Sequence, residues 1–167
     1  MYNNVNDKKE RAYLVCAYLN LDNAEYRTKE LELLAKSAYL DVVKCNLFVV
    51  KEINARTYMG QGKVEQIRDE AKELGADVII FDCPLSGSQL RNLGDIIDIK
   101  VIDRTMLILD IFAGRAKTNE GKLQVELAQL KYSLPRLGSI DPGEGNEDRG
   151  VGTRGVGETK LEINRRR

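Results

Sequence analysis

The chain has 167 residues, 26 of them basic, 26 acidic and none histidine. That length suits one compact domain with an appendage and excludes two full-sized domains. A net charge of zero excludes a global pull toward nucleic acid or anionic lipid, and the missing histidine removes the commonest general base and metal ligand.

Charge is distributed unevenly along the chain. Residues 115–167 carry 11 basic and 8 acidic side chains, against 15 and 18 over residues 1–114. Cys16, Cys45 and Cys83 form no C-x-x-C pair, and each lies in or beside an apolar run, where a free thiol behaves as a small hydrophobe. This pattern predicts a reducing, cytoplasmic setting. No run approaches the roughly 20 apolar residues of a membrane span.

The first hundred residues alternate apolar runs with helical patterns, the signal for βαβ units. Strands are predicted over residues 12–18, 42–50, 78–81 and 100–102. After the cap candidates Asp22 and Asn23, the spacing of Leu31, Leu34, Ala35 and Ala38 predicts a helix. A second helix, over residues 63–74, turns Val64 and Ile67 inward and stops at Gly75. A third begins after Pro84, where Ser86 and Gln89 have capping-box spacing. The expected fold class is α/β, a small four-stranded and mainly parallel sheet with flanking helices.

Beyond Asp103 the pattern changes. Residues 106–112 form an apolar stretch of helical length, and Leu123, Leu127, Leu130 and Leu134 follow at spacings of 4, 3 and 4. That stripe predicts a long helix capped at Thr118 or Asn119 and ended by Pro135. Residues 138–157 hold seven of the 14 glycines and almost nothing apolar, which makes them a loop. Thr159 and Glu162 have capping-box spacing ahead of Leu161 and Ile163, so a further helix is expected to return along the leucine stripe. The predicted organisation is an α/β subdomain at 1–103 and a helical arm at 104–167. The arm has two antiparallel helices, the second truncated.

Three groups of residues bear on chemistry. Gly60, Gly62 and Lys63 lie between an extended piece and a helix, which fits either a phosphate or nucleotide contact at a helix N-terminus or a tight turn with a solvated lysine. Asp82 and Asp103 fall at carboxyl ends of predicted strands, where they could hold a metal or a ribose or, more plainly, cap the next helix or turn. Gly150, Gly152 and Gly155 match G-x-G-x-x-G but come after a polar loop rather than a strand, which rules out the dinucleotide reading. Gly152 to Gly157 has the glycine spacing of a phosphate-binding loop, yet Glu158 stands where its lysine belongs, so no independent GTP site of the usual kind is expected. Glycines that expose backbone donors beside Arg149, Arg154, Arg165 and Arg166 suit RNA phosphates better, with a passive charged linker as the alternative.

Several longer motifs resemble the HflX family of ribosome-associated GTPases: residues 56–63 (RTYMGQGK), 101–105 (VIDRT), 109–113 (LDIFA), 121–132 (GKLQVELAQLKY), 134–137 (LPRL) and 152–162 (GTRGVGETKLE). The resemblance runs from about Arg11 to the last residue. It implies the N-terminal domain of such a protein, a small parallel α/β unit with a two-helix arm, and a GTPase domain in cis after the arm. It implies large-subunit rRNA as partner, with Gly152, Thr153, Arg154, Gly155, Gly157 and Glu158 on the family's loop motif. Ribosome splitting, rescue, translation control and stress response are the implied roles. GTP and Mg2+ are expected for the GTPase domain, no cofactor or catalysis for this chain, and self-association through the arm. The second reading is an ATP-binding α/β module. Residues 139–148, with four acids and no base, match no motif of the family.

Overall fold

The computed structural model describes residues 8–137. In chain order the elements are β1 (Arg11–Tyr18), α1 (Ala24–Ser37), β2 (Asp41–Val49), α2 (Gln61–Glu73), β3 (Val78–Phe81), α3 (Gly87–Ile97), β4 (Lys100–Asp103), α4 (Arg104–Arg115) and α5 (Asn119–Leu137). The strands form one sheet in the order β2-β1-β3-β4, and every pairing is parallel.

The chain steps from β1 one way to β2 and then back across β1 to β3 and β4. At constant crossover hand, opposite steps put their helices on opposite faces. One face accordingly packs Tyr13, Val15, Ile79 and Phe81 against Val64 and Ile67 of α2 and Leu93 and Ile97 of α3. The other packs Leu14, Cys16 and Ile80 against Leu31 and Ala35 of α1 and Leu107 and Ile111 of α4. Strand β1 is buried on both faces, which is why its sequence reads as a continuous apolar run. Burying each large aliphatic side chain here contributes about 1.5–3 kcal/mol.

Helix α4, placed in the arm by its sequence pattern, thus completes the core of the α/β unit. Its partner is α5, which turns back after residues 116–118 and runs antiparallel to it. The pairs Gln129–Asp110 and Tyr132–Asp103 fix that direction. Gly121, Val125, Ala128, Gln129, Tyr132, Ser133 and Arg136 are half-buried positions of α5. Leu123, Leu127, Leu130 and Leu134 are 64%, 52%, 50% and 60% exposed, so the stripe is left outside this packing. The returning helix expected from Thr159 lies outside the described residues.

Three local expectations change. Asn23 stands at the N-cap of α1 in the left-handed region with φ 58° and makes no side-chain cap bond, and Asp22 supplies none in its place. Pro135 does not end α5, which continues to Leu137. The proline removes the amide that would bond the Lys131 carbonyl, and the turn is held instead by Arg136, whose guanidinium donates to the Tyr132 carbonyl at 2.7 Å and to the Leu85 carbonyl at 3.3 Å. Cys45 is only half-buried, unlike Cys16 and Cys83. Two other signals hold: Gly75 takes φ 66° just past α2, and Ser86 and Gln89 form a complete capping box on α3.

Candidate functional site

Because β1 leads out one way and β3 the other, the sheet has a switch point at the carboxyl ends of these two strands, where open α/β sheets leave a crevice. Asp82 sits there with a fully buried carboxylate. It accepts from the Tyr18 hydroxyl at 2.5 Å, from Arg104 at 3.1 Å and lies 3.2 Å from Arg27. Arg104 also pairs with Glu30, and the Arg27 guanidinium stacks 4.1 Å from the centre of the Tyr18 ring. Two arginines and two carboxylates close the cluster electrically. Asp82 is therefore the buried centre of an ion network whose outer members, Arg27 and Glu30, reach solvent, and not a helix cap. Burial, and then the Asp82 carboxylate, push the Tyr18 phenol well above its ordinary range.

Asp103 does cap. One carboxylate oxygen accepts from the Met106 amide at 3.0 Å at the start of α4, and the other accepts from the Leu85 amide at 3.1 Å. That second oxygen also accepts from the Tyr132 hydroxyl of α5. Burial, and then this bond, raise the Tyr132 phenol to about 12. One turn on, Arg136 stacks 3.3 Å from the centre of the Tyr132 ring and donates to the Leu85 carbonyl at 3.3 Å. Gly87 lies against this turn so closely that a β-carbon there would come within 2.2 Å of the Arg136 carbonyl oxygen. The last turn of α5 is thereby clamped to the carboxyl edge of the sheet, beside the start of α3.

Gly60 and Gly62 open α2, and neither has positive φ or a neighbour within 4 Å of an added β-carbon. Lys63 donates to the Val49 carbonyl at 2.5 Å, so its amine is tied to the end of β2. The glycines stand near Thr57, whose hydroxyl is buried on the Met59 carbonyl at 2.7 Å. Tyr58, between Thr57 and the glycines, feels the charges of Arg27 and Asp82, so this turn borders the Asp82 network. Arg149, Gly150, Gly152, Thr153, Arg154, Gly155, Gly157, Glu158, Arg165 and Arg166 lie outside the described residues. Among the described residues, no group of three or more Cys, Asp or Glu is placed to hold a metal ion, and no helix is long and apolar enough to cross a membrane.

The parts played by Arg27, Arg104, Gly87, Tyr132 and Arg136 were not read from the sequence. Each acts across at least 20 residues of chain, and a single sequence carries no signal for such pairs. Ser86, adjacent to Gly87, is the one local hint, since its capping box marks where α3 starts.

This architecture, a four-stranded parallel sheet with a helix clamped across its carboxyl edge, is that of the amino-terminal part of a GTP-binding protein. Residues 25–113 match the family described as GTP-binding GTPase N-terminal, and residues 115–167 match GTP-binding GTPase Middle Region. The fold is also that of a GTP-binding protein from the archaeon Sulfolobus solfataricus solved with GDP, at TM-score 0.62 and 26% identity over 77% of this chain and 38% of that one. Among curated relatives, GTPase HflX of Alkalihalophilus pseudofirmus is 48% identical across 94% of this chain. GTPase HflX of Caldanaerobacter subterraneus is 46% identical across 95%, and that of Escherichia coli 42% across 96%. The chain belongs to the HflX family, as its N-terminal domain. It spans 37% to 38% of the length of these relatives.

Proposed function

We propose that this domain binds the rRNA of the large ribosomal subunit, on behalf of a protein whose GTPase domain lies in cis and uses GTP and Mg2+ in the cytoplasm. Ribosome splitting, rescue or translation control is the resulting role. The observation that carries the reading is the clamp on α5. Tyr132, Arg136 and Gly87 hold the end of this helix in a fixed place, immediately before a stretch rich in glycine and arginine. Open glycine backbone with interspersed arginines is chemistry that tracks phosphates closely, and a rigid root gives such contacts an orientation. The lack of any aromatic residue at 138–157 turns the reading toward phosphate and 2′-hydroxyl contact and away from base stacking.

A second reading, an ATP-binding module, draws on the unobstructed space over Gly60 and Gly62. It is the weaker because the one lysine beside them is held by the Val49 carbonyl. The two readings separate in the full-length protein with Gly155→Val. Loss of large-subunit binding or splitting at unchanged GTP affinity is the expected outcome. Unchanged binding and splitting would move the RNA contact away from this loop. In calorimetry, this chain alone is expected to show no micromolar affinity for GTP or ATP, and such an affinity for ATP would favour the second reading.

A further inference from the structure

We propose that Cys16 and Cys45 together form a binding site for a single soft monovalent metal ion of the copper(I) class. The two thiols belong to neighbouring strands and face the same side of the sheet, with their sulfur atoms 3.9 Å apart. Metal–thiolate bonds of about 2.3 Å span that separation at an angle of about 120°, and an outward shift of about half an ångström at the half-buried Cys45 opens it toward the near-linear geometry of a two-coordinate copper(I) bis-thiolate.

The register decides between a metal and a disulfide. Cys16 pairs with Leu47 and Cys45 with Leu14, so the cysteines are two positions out of step. With parallel strands about 4.8 Å apart and a rise of about 3.3 Å per residue, two positions of offset put the α-carbons about 8 Å apart, beyond the roughly 4.4–6.8 Å that a disulfide tolerates. Direct oxidation would require one strand to slide along the other, whereas an inserted ion spans the gap.

The surroundings fit a thiolate pair. The Thr28 hydroxyl, on α1, is buried and has no hydrogen-bond partner, although it faces the site closely enough to favour ionisation of Cys16. The two thiols share one hydrogen bond, in which either can be the donor, and it eases ionisation of one sulfur at the expense of the other. The buried Asp82 carboxylate opposes ionisation of both thiols, and Arg27 and Arg104, paired with it, offset that charge. Binding converts two thiols and one cation into a bis-thiolate complex of charge −1 and releases two protons to solvent, with no electron transferred. Among the described residues no third Cys, Asp or Glu completes a cluster, which disfavours zinc, since zinc sites take at least three protein ligands. Cys45 is the half-buried member and gives the ion its way in.

The test is an anaerobic titration of the full chain with copper(I) against a coloured competing chelator. One equivalent should bind. Cys16→Ser and Cys45→Ser should each weaken that binding at least tenfold, and Cys83→Ser should leave it intact. X-ray absorption should show two sulfur neighbours at about 2.2 Å. Cys45→Ser, at the half-buried position, decides the matter should Cys16→Ser fail to fold. A wild-type chain that takes no copper from the chelator, a Cys45→Ser variant that binds as the wild type does, or a coordination shell without sulfur would overturn the proposal.

Discussion

Glu70, half-buried where α2 meets β1 and β2, accepts hydrogen bonds from Lys44 at 2.8 Å, Tyr13 at 2.6 Å and Gln66 at 2.9 Å. The lysine first, then the other two, hold its pKa at about 2, below the ordinary 4.5. A carboxylate depressed by folding adds stability that is complete above its unfolded pKa and is lost as pH falls toward the folded one. The thermal midpoint of the wild type should therefore drop between about pH 4.5 and about pH 2 more steeply than that of Glu70→Gln, and equal slopes would show that the three bonds are not formed in solution. Asp103 matters through a different physics. It satisfies the amides of Met106 and Leu85 and the Tyr132 hydroxyl at once, from a fully buried position. Asp103→Ala should cost about 2–4 kcal/mol in urea unfolding, the sum of a lost cap and abandoned buried donors. Asp103→Asn, which keeps a capping oxygen, should cost less. A loss under about 1 kcal/mol for the alanine variant would mean that water replaces the carboxylate.

At the scale of elements, the two glycines of α3 make an internal comparison. At Gly87 a β-carbon would collide with backbone atoms of Arg136, the nearest at 2.2 Å, while at Gly94 nothing lies within 4 Å. Gly87→Ala should destabilise by about 1–3 kcal/mol, as overpacking does. Gly94→Ala should stabilise by about 0.5–1 kcal/mol, since alanine loses less freedom in a helix. Opposite signs in paired denaturation curves are the expected result, and a neutral Gly87→Ala would mean that α5 is not seated on α3. The elements themselves were largely legible in the sequence, because β3 is a short apolar run between turn signals and α3 carries its own capping box. Pro135 misled because a long-range partner, Leu85, steadies the turn that the proline weakens. Asn23 misled because cap residues are chosen by type, whereas its left-handed backbone gives the side chain no cap bond to make.

For the whole molecule, periodicity gave the layers but not what lies beside what. Between Ala12 and Tyr13 the β1–β2 register shifts by one residue, and that shift sets Cys45 near Cys16, a proximity no spacing along the chain could disclose. The same holds for the candidate site. Asp82 and Asp103 were visible as residues at strand ends, yet their partners Arg27, Arg104 and Tyr132 come from helices 22 to 55 residues away in sequence. The proposed rRNA contact rests on motifs at 149–166, so its most direct test is on those residues. Co-sedimentation of this chain with isolated large subunits, repeated over a range of salt concentrations, measures both affinity and the number of phosphates engaged. Binding to large but not small subunits is expected. Arg154→Ala should weaken that binding by about 1–2 kcal/mol and make the salt slope shallower by roughly one phosphate contact. Equal binding to both subunits, or an Arg154→Ala variant with the affinity and salt slope of the wild type, would contradict the rRNA assignment.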